Sequence, residues 1–230
     1  MIKLDHIAVW CNNLYETTIR LSKETGIGHT DGGYFPKLGL GQKVISLGDY
    51  VYIEVESIVD HKMIANREDM ALEPEKQTAN GDCFSGLCFR TDEMVELEAF
   101  ARHLNAQVAT NISGGKVRPV ERGVFSVAHV PTFWNSWRLG KPNLYYIPDL
   151  EYHPSLMPIQ SDTGTVKGTG VTSIEVGGTK ADMQSWFGDV LDLDDLEFEV
   201  QYNGAADGLY AVTFGTADGE KTIRLNPITL

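Results

Sequence analysis

No apolar run in this chain is long enough to cross a bilayer; the longest are strand-sized, and the N-terminus lacks a basic stretch leading into an apolar one. A cytoplasmic protein without a membrane partner is the expectation. Cations are scarce. Lys and Arg number 19 against 32 Asp and Glu, for a formal charge of −13. A polyanion needs clustered positive charge, so nucleic acid is not an expected partner. The acids form no tract, and the charge reads as solubility. Cysteine is limited to Cys11, Cys83 and Cys88, an odd number without CxxC spacing. That argues against a disulfide framework or zinc knuckle and for reduced thiols in strands. Phosphate loops are missing too. Gly32-Gly33 and Gly114-Gly115 neither open a helix nor precede Lys-Ser/Thr, so they are bends. No Ser or Cys sits in a nucleophile elbow, which leaves acyl-enzyme chemistry without a carrier.

What the sequence has is alternation. Within Lys3–Cys11, Leu4, Ala8 and Trp10 fall on the side of His6, and Ile7, Val9 and Cys11 on the other. This predicts a strand with two environments. A lone strand histidine is more often a satisfied core group than a site residue, until a partner is found for it. Tyr50–Glu56 alternates as strictly: Val51, Ile53 and Val55 form a dry face, and Tyr50, Tyr52, Glu54 and Glu56 the other. Carboxylates are rarely left in a closed apolar interior, so that second face must meet water, a ligand, a cation or a partner charge. A His and a Glu on the wet faces of one sheet can chelate a divalent metal or act as an acid–base pair. Glu56 fits a surface carboxylate best.

Taken in order, Asn12 and Asn13 offer N-caps to a helix carrying Leu14, Thr18 and Leu21 at helical spacing and ended by Gly26. Thr30–Gly41 reads as a loop or irregular strand. Lys43–Leu47 is a strand, turned by Gly48-Asp49 into Tyr50–Glu56. A polar linker follows. The pattern then returns: a strand at Phe84–Phe89, a helix capped by Thr91 with Met94, Leu97, Ala101 and Leu104 on one side, and strands around Val117, Val124–Val130 and Asn143–Ile147. It returns once more from Val171–Val176. Thr179 and Asp182 make a capping pair before a helix with Met183, Trp186, Phe187, Val190 and Leu191. Strands at Phe198–Tyr202, Leu209–Phe214 and Thr222–Leu225 follow, with Asp-Gly turns between them. The expected fold is α+β: repeated βαβββ units, two facing each other to form a curved-sheet cup, and a third βαβββ-like unit behind them. The divisions are 1–60, a linker 61–82, 83–160, and 165–230 as a structural or dimerising unit. Alternation places His6, Tyr52, Glu54 and Trp10 on the cup lining.

The βαβββ repeat, Leu4-Asp5-His6-Ile7, the Gly48-Asp49 turn before Tyr52-Ile53-Glu54, and His153-Pro154-Ser155 together resemble the glyoxalase-like domain proteins. These belong to the vicinal oxygen chelate superfamily, with glyoxalase I, extradiol dioxygenases and bleomycin-resistance proteins. The resemblance covers about residues 3 to 160. It implies a divalent metal (iron, manganese, nickel or zinc) held by His6 and Glu54, with further ligands from the second unit. There Gly86 stands where the histidine would be, and Pro148 lies near the glutamate's place. Cys88, His129, Asp149, Glu151 and His153 are the candidates to complete the set, and spacing selects none. Without a metal, His6 and Glu54 remain a general acid–base pair.

Thr132–Arg138 is the other unusual stretch. Trp134, Trp137 and Arg138 either clamp a flat or apolar ligand and anchor its carboxylate or enolate, or cover a sheet end. Arg118 and Arg122 lie upstream; with Arg138 they would make a local anion site, although a surface ion pair suits Arg122. The expected substrate-binding residues are Trp10, Tyr52, Arg118, Trp134, Trp137 and Arg138. The leading reading is an enzyme of the glyoxalase-like lyase, isomerase or dioxygenase type. It would act on a carbonyl, carboxylate or phenolic substrate by proton transfer, isomerisation or bond cleavage, with or without a metal. The alternative is a non-catalytic protein that sequesters a small molecule, as antibiotic-binding proteins do. A homodimer is the expected assembly.

Overall fold

The structure, a computed structural model, is described for residues 1–36, 39–64, 77–105, 143–151, 153–159 and 164–226, and for the backbone alone at 107–112 and 124–129. The first module comprises β1 (Lys3–Trp10), α1 (Leu14–Thr25), β2 (His29–Phe35), β3 (Leu40–Gly48) and β4 (Val51–Ile58). A short helix α2 (His61–Ile64) follows. The second module comprises β5 (Cys83–Thr91), α3 (Met94–Leu104), β6 (Gln107–Ile112), β7 (Val124–His129) and β8 (Asn143–Tyr146). The helix ends obey local chemistry. Asn13 Oδ1 accepts from the Glu16 amide at 3.2 Å, and Gly26 closes α1 with φ 78°. At α3 the N-cap is Glu93; Thr91, two residues earlier, accepts the Glu93 amide proton at 3.0 Å.

All eight strands form one sheet in the order β2-β3-β4-β1-β5-β8-β7-β6. Each module lays its first strand parallel to its last, β1 on β4 and β5 on β8, and the modules meet where β1 runs antiparallel to β5. This mirror-like order is two βαβββ modules facing each other across a central seam. Thr30–Gly41, expected as a loop or irregular strand, holds all of β2 but its first residue and the start of β3; β2 is broken by a register shift between Asp31 and the left-handed Gly33 (φ 126°). The strand expected around Val117 lies outside the described residues, and β6 runs earlier, at Gln107–Ile112.

At the seam, two β-bulges correct the sequence reading. One lies between Leu4 and His6 on β1, leaving Asp5 as the extra residue; the other, across the seam on β5, leaves Ser85 extra between Phe84 and Gly86. Each extra residue shifts the alternation by one position. Leu4 therefore joins the apolar core with Ile7, Val9 and Cys11 instead of sharing the side of His6.

The last third contains β9 (Gly168–Val176), α4 (Lys180–Phe187), β10 (Glu199–Tyr202), β11 (Leu209–Thr216) and β12 (Lys221–Arg224). Thr179 and Asp182 form the expected capping box. The helix stops sooner than its apolar spacing suggests, because Gly188 turns left-handed at φ 66° and a 3-10 turn carries the chain on. The element order β-α-β-β-β is kept but paired differently: the sheet runs β10-β9-β11-β12, with β9 inserted between β10 and β11. This unit covers the back of the large sheet. Phe187 meets Phe89 edge-on at 4.9 Å, and Ile174, Val176, Met183, Val212 and Phe214 belong to the same core as Ile7, Val9, Leu87 and Phe89. Where β3 ends against β9 only glycine fits: a Cβ on Gly48, itself at φ 84°, would lie 2.2 Å from the Gly168 carbonyl oxygen.

Candidate active site

Register decides which side chains meet in the cup. His6 stands beside Tyr52 of β4 on one side and Cys88 of β5 on the other. Ala8, too small to intrude, stands beside Glu54, and Trp10 beside Glu56. His6 Nε2 lies 3.4 Å from Glu54 Oε2, so the histidine and glutamate singled out in the sequence come together. The ring of Tyr52 stacks on His6 with centroids 4.8 Å apart, and Tyr145 of β8 lies tilted at 5.7 Å. Trp10 is fully buried. Arg118, Trp134, Trp137 and Arg138 lie outside the described residues, as does the side chain of His129.

The other face of the imidazole was not legible. Asp5 Oδ1 accepts from His6 Nδ1 at 2.6 Å, and Asp5 Oδ2 accepts from His153 Nε2 at 2.9 Å. His153 precedes the 3-10 turn Pro154–Leu156, which packs over β3 and β4. Arg90 Nη1 donates to the Tyr50 carbonyl at 2.8 Å and to that of Leu4, and stands 4.0 Å from Asp5 Oδ2. The described line therefore runs from His153 through Asp5 and His6 to Glu54. Strict alternation sends Asp5 to the wrong side of the strand, so only the bulge reveals it. The signal for His153 was the His-Pro-Ser motif, read without a partner.

The electrostatics follow from burial and pairing. Burial opposes charge on Asp5, but the two imidazole hydrogen bonds outweigh it and hold its carboxyl far below the usual range. Burial likewise opposes the His6 imidazolium. Negative charge on Cys88 and Glu54 and the bond to Asp5 favour it, and the net shift is well upward. Burial also raises the Cys88 thiol, so near neutrality Glu54 and Asp5 carry that effect. His153 shifts the other way, lowered chiefly by burial against the pull of Asp5. Glu56, expected at the surface, is half-buried and takes a 2.7 Å hydrogen bond from the Gln42 amide. Burial and the neighbouring Glu54 push its carboxyl up to about 8.

Among the described residues, no three His, Cys, Asp or Glu side chains could hold a metal ion. His6 commits Nδ1 to Asp5, which leaves Nε2, on the side of Glu54, as its remaining ring nitrogen. Counted from the starts of α1 and α3, Asp5 and His6 correspond to Ser85 and Gly86 in the second module. The second-module counterpart of Glu54 is Asn143, which faces Cys88 as Glu54 faces Ala8. Register thus moves the glutamate's counterpart from the neighbourhood of Pro148 to Asn143. Asp149 and Glu151 are exposed.

Paired βαβββ modules of this kind are the architecture of the vicinal oxygen chelate superfamily. The sequence matches the model of the glyoxalase-like domain family over residues 4–191, and the chain belongs to that family. Its fold is similar to that of a hypothetical protein from Staphylococcus aureus, at 12% identity and a TM-score of 0.56, covering 90% of this chain and 88% of that one. Methylmalonyl-CoA epimerase from Streptomyces coelicolor matches at 16% identity and a TM-score of 0.41, covering 62% of this chain and 95% of that one. The enzyme from Mycobacterium tuberculosis matches at 13% and 0.41, covering 62% and 86%. No curated protein matches the sequence. Among the described residues, no helix is long and apolar enough to cross a membrane.

Proposed function

We propose that the cup catalyses proton transfer at a carbon beside a carbonyl group in a small oxygenated substrate, with Glu54 as base and the His6 imidazolium as acid. The observation that carries this is the 3.4 Å spacing of Glu54 Oε2 and His6 Nε2, with Asp5 behind the ring. An H–C–C=O fragment laid across the pair offers its C–H to the carboxylate and its oxygen to Nε2–H. Glu54 takes the proton, the C–H electron pair moves into the new C=C bond, and the carbonyl π pair moves onto oxygen, where His6 donates to the developing enolate. Return of a proton to either face of that carbon gives exchange or epimerisation, and in a substrate whose α-carbon carries a hydroxyl, return to the former carbonyl carbon gives isomerisation. Asp5 keeps the imidazolium charged and oriented, and Tyr52 and Tyr145 supply aromatic walls. No step needs a metal.

The test is deuterium exchange. A panel of enolisable ketones, thioesters and 2-oxo acids is incubated with the protein in D2O, and loss of the α-proton signal is followed by NMR. Glu54→Gln and His6→Ala are each expected to slow exchange by about 10²–10⁴-fold. Equal exchange by wild type and both variants overturns the reading. So does tight binding of panel members that never exchange, which instead favours a sequestering protein.

A further inference from the structure

His153 is wholly enclosed and lies 148 residues from Asp5 in sequence, yet it takes one of that carboxylate's two oxygens. We propose that His153 is a positioning residue that acts through Asp5 to hold the His6 ring with Nε2 turned into the cup, an assignment that rests on the acid–base role of His6.

The hydrogen bonds fix the protons. The Ser155 backbone N–H can only donate, and it points at His153 Nδ1 at 3.3 Å; the Ser155 hydroxyl lies 2.7 Å from the same atom. His153 Nδ1 is therefore the acceptor, its ring proton is on Nε2, and that N–H donates to Asp5 Oδ2. Asp5 Oδ1 remains for His6 Nδ1–H, and only Nε2 of His6 is free to face Glu54. Each link is set by the one before it, starting from a main-chain amide that cannot reverse.

Removing the His153 bond leaves Asp5 Oδ2 with Arg90 at 4.0 Å as its neighbouring cation, too far for a hydrogen bond. A buried carboxylate oxygen without a donor is costly, and rotation of the Asp5 side chain to recover one would release His6 Nδ1. The aromatic packing holds the same parts. Tyr52 stacks on His6 and meets the edge of His153 at 5.4 Å, and Tyr50 meets His153 at 5.8 Å. The second module has Ser85 and Gly86 where Asp5 and His6 stand, so this arrangement exists on one side of the seam only.

Two substitutions separate the Asp5 contact from local folding. His153→Gln places an amide N–H where Nε2 stood. His153→Asn keeps a good cap for the 3-10 turn but is too short to reach Asp5. Histidine-ring 15N-labelled full-length protein is observed by NMR for the low-field proton of His6 Nδ1–H bonded to Asp5. Wild type and His153→Gln are expected to show this resonance, and His153→Asn to lose it. In the deuterium-exchange assay, His153→Asn is expected to be slower by about 10-fold or more, with His153→Gln restoring most of the rate. An unchanged resonance in folded His153→Asn, or its loss in folded His153→Gln, overturns the proposal. If His153→Asn does not fold, His153→Gln alone decides it. The NMR arm uses no substrate. If Glu54→Gln and His6→Ala leave exchange untouched while the resonance behaves as expected, the acid–base reading falls and the anchoring of His6 by His153 stands.

Discussion

Asp5 and His6 are chain neighbours on one strand, yet Asp5 Oδ1 and His6 Nδ1 lie 2.6 Å apart. In a regular strand, adjacent side chains leave on opposite faces. The bulge at Asp5 removes that constraint and puts a carboxylate behind the ring whose far nitrogen faces Glu54.

Replacing Asp5 by Asn keeps the shape and removes the charge that both imidazoles use. One of its two terminal atoms becomes an NH2 that cannot accept from an imidazole N–H. A loss of about 3–5 kcal/mol is expected in urea denaturation, as for a buried ion pair that loses one partner. The His6 titration, followed by NMR, is expected to move down.

The raised His6 sets a pH limit. A histidine whose folded pKa lies above its unfolded value stabilises the protein fully below that unfolded value, and the contribution fades as pH rises through the folded pKa. Exchange activity that uses the imidazolium is therefore expected to persist through neutrality and to fall on an alkaline limb centred above 6.5. A pH–rate profile with its midpoint below 6.5 contradicts this.

Glu56 tilts stability in the same direction with pH, as a growing penalty in place of a fading gain. Between 4.5 and about 8 the folded chain holds a proton that the unfolded chain has released, so this group erodes stability as pH rises across that window. Glu56→Gln removes the effect. The variant is expected to match wild type near pH 4.5 and to exceed it by about 1–3 kcal/mol at pH 8.5, read by denaturant melts at both values.

The C-terminal unit shares the core of the large sheet. Phe187→Ala, which removes the ring packed on Phe89, is expected to cost about 3–5 kcal/mol by chemical denaturation. Deleting the chain from Thr165 onward bares the same apolar face and is expected to give insoluble protein. A soluble, cooperatively folding truncation contradicts a structural role for this unit.

Much of the framework was legible because it is local. Asn13, Gly26 and the Thr179–Asp182 pair mark helix ends by chemistry confined to a few residues, and strict alternation around Ile53 identified β4 with Glu54 on its wet side. Errors arose where one residue changes the count. Asp5 and Ser85 each add a position to a strand, and no local propensity announces them. Of the two C-terminal Asp-Gly turns, Asp218-Gly219 does join neighbouring strands, β11 and β12, but across Asp207-Gly208 long-range pairing placed β9 between β10 and β11.

By itself the sequence determined the βαβββ periodicity, the two faces of β4, and a histidine and a glutamate on strands able to meet, since these depend on spacing along the chain. Only the tertiary structure decided that Asp5 joins them, that His153 closes the line from 148 residues away, and that Glu56 is partly withdrawn from water. Those outcomes depend on strand register and on which segment covers the cup, and neither is encoded within the few residues that a propensity can sense.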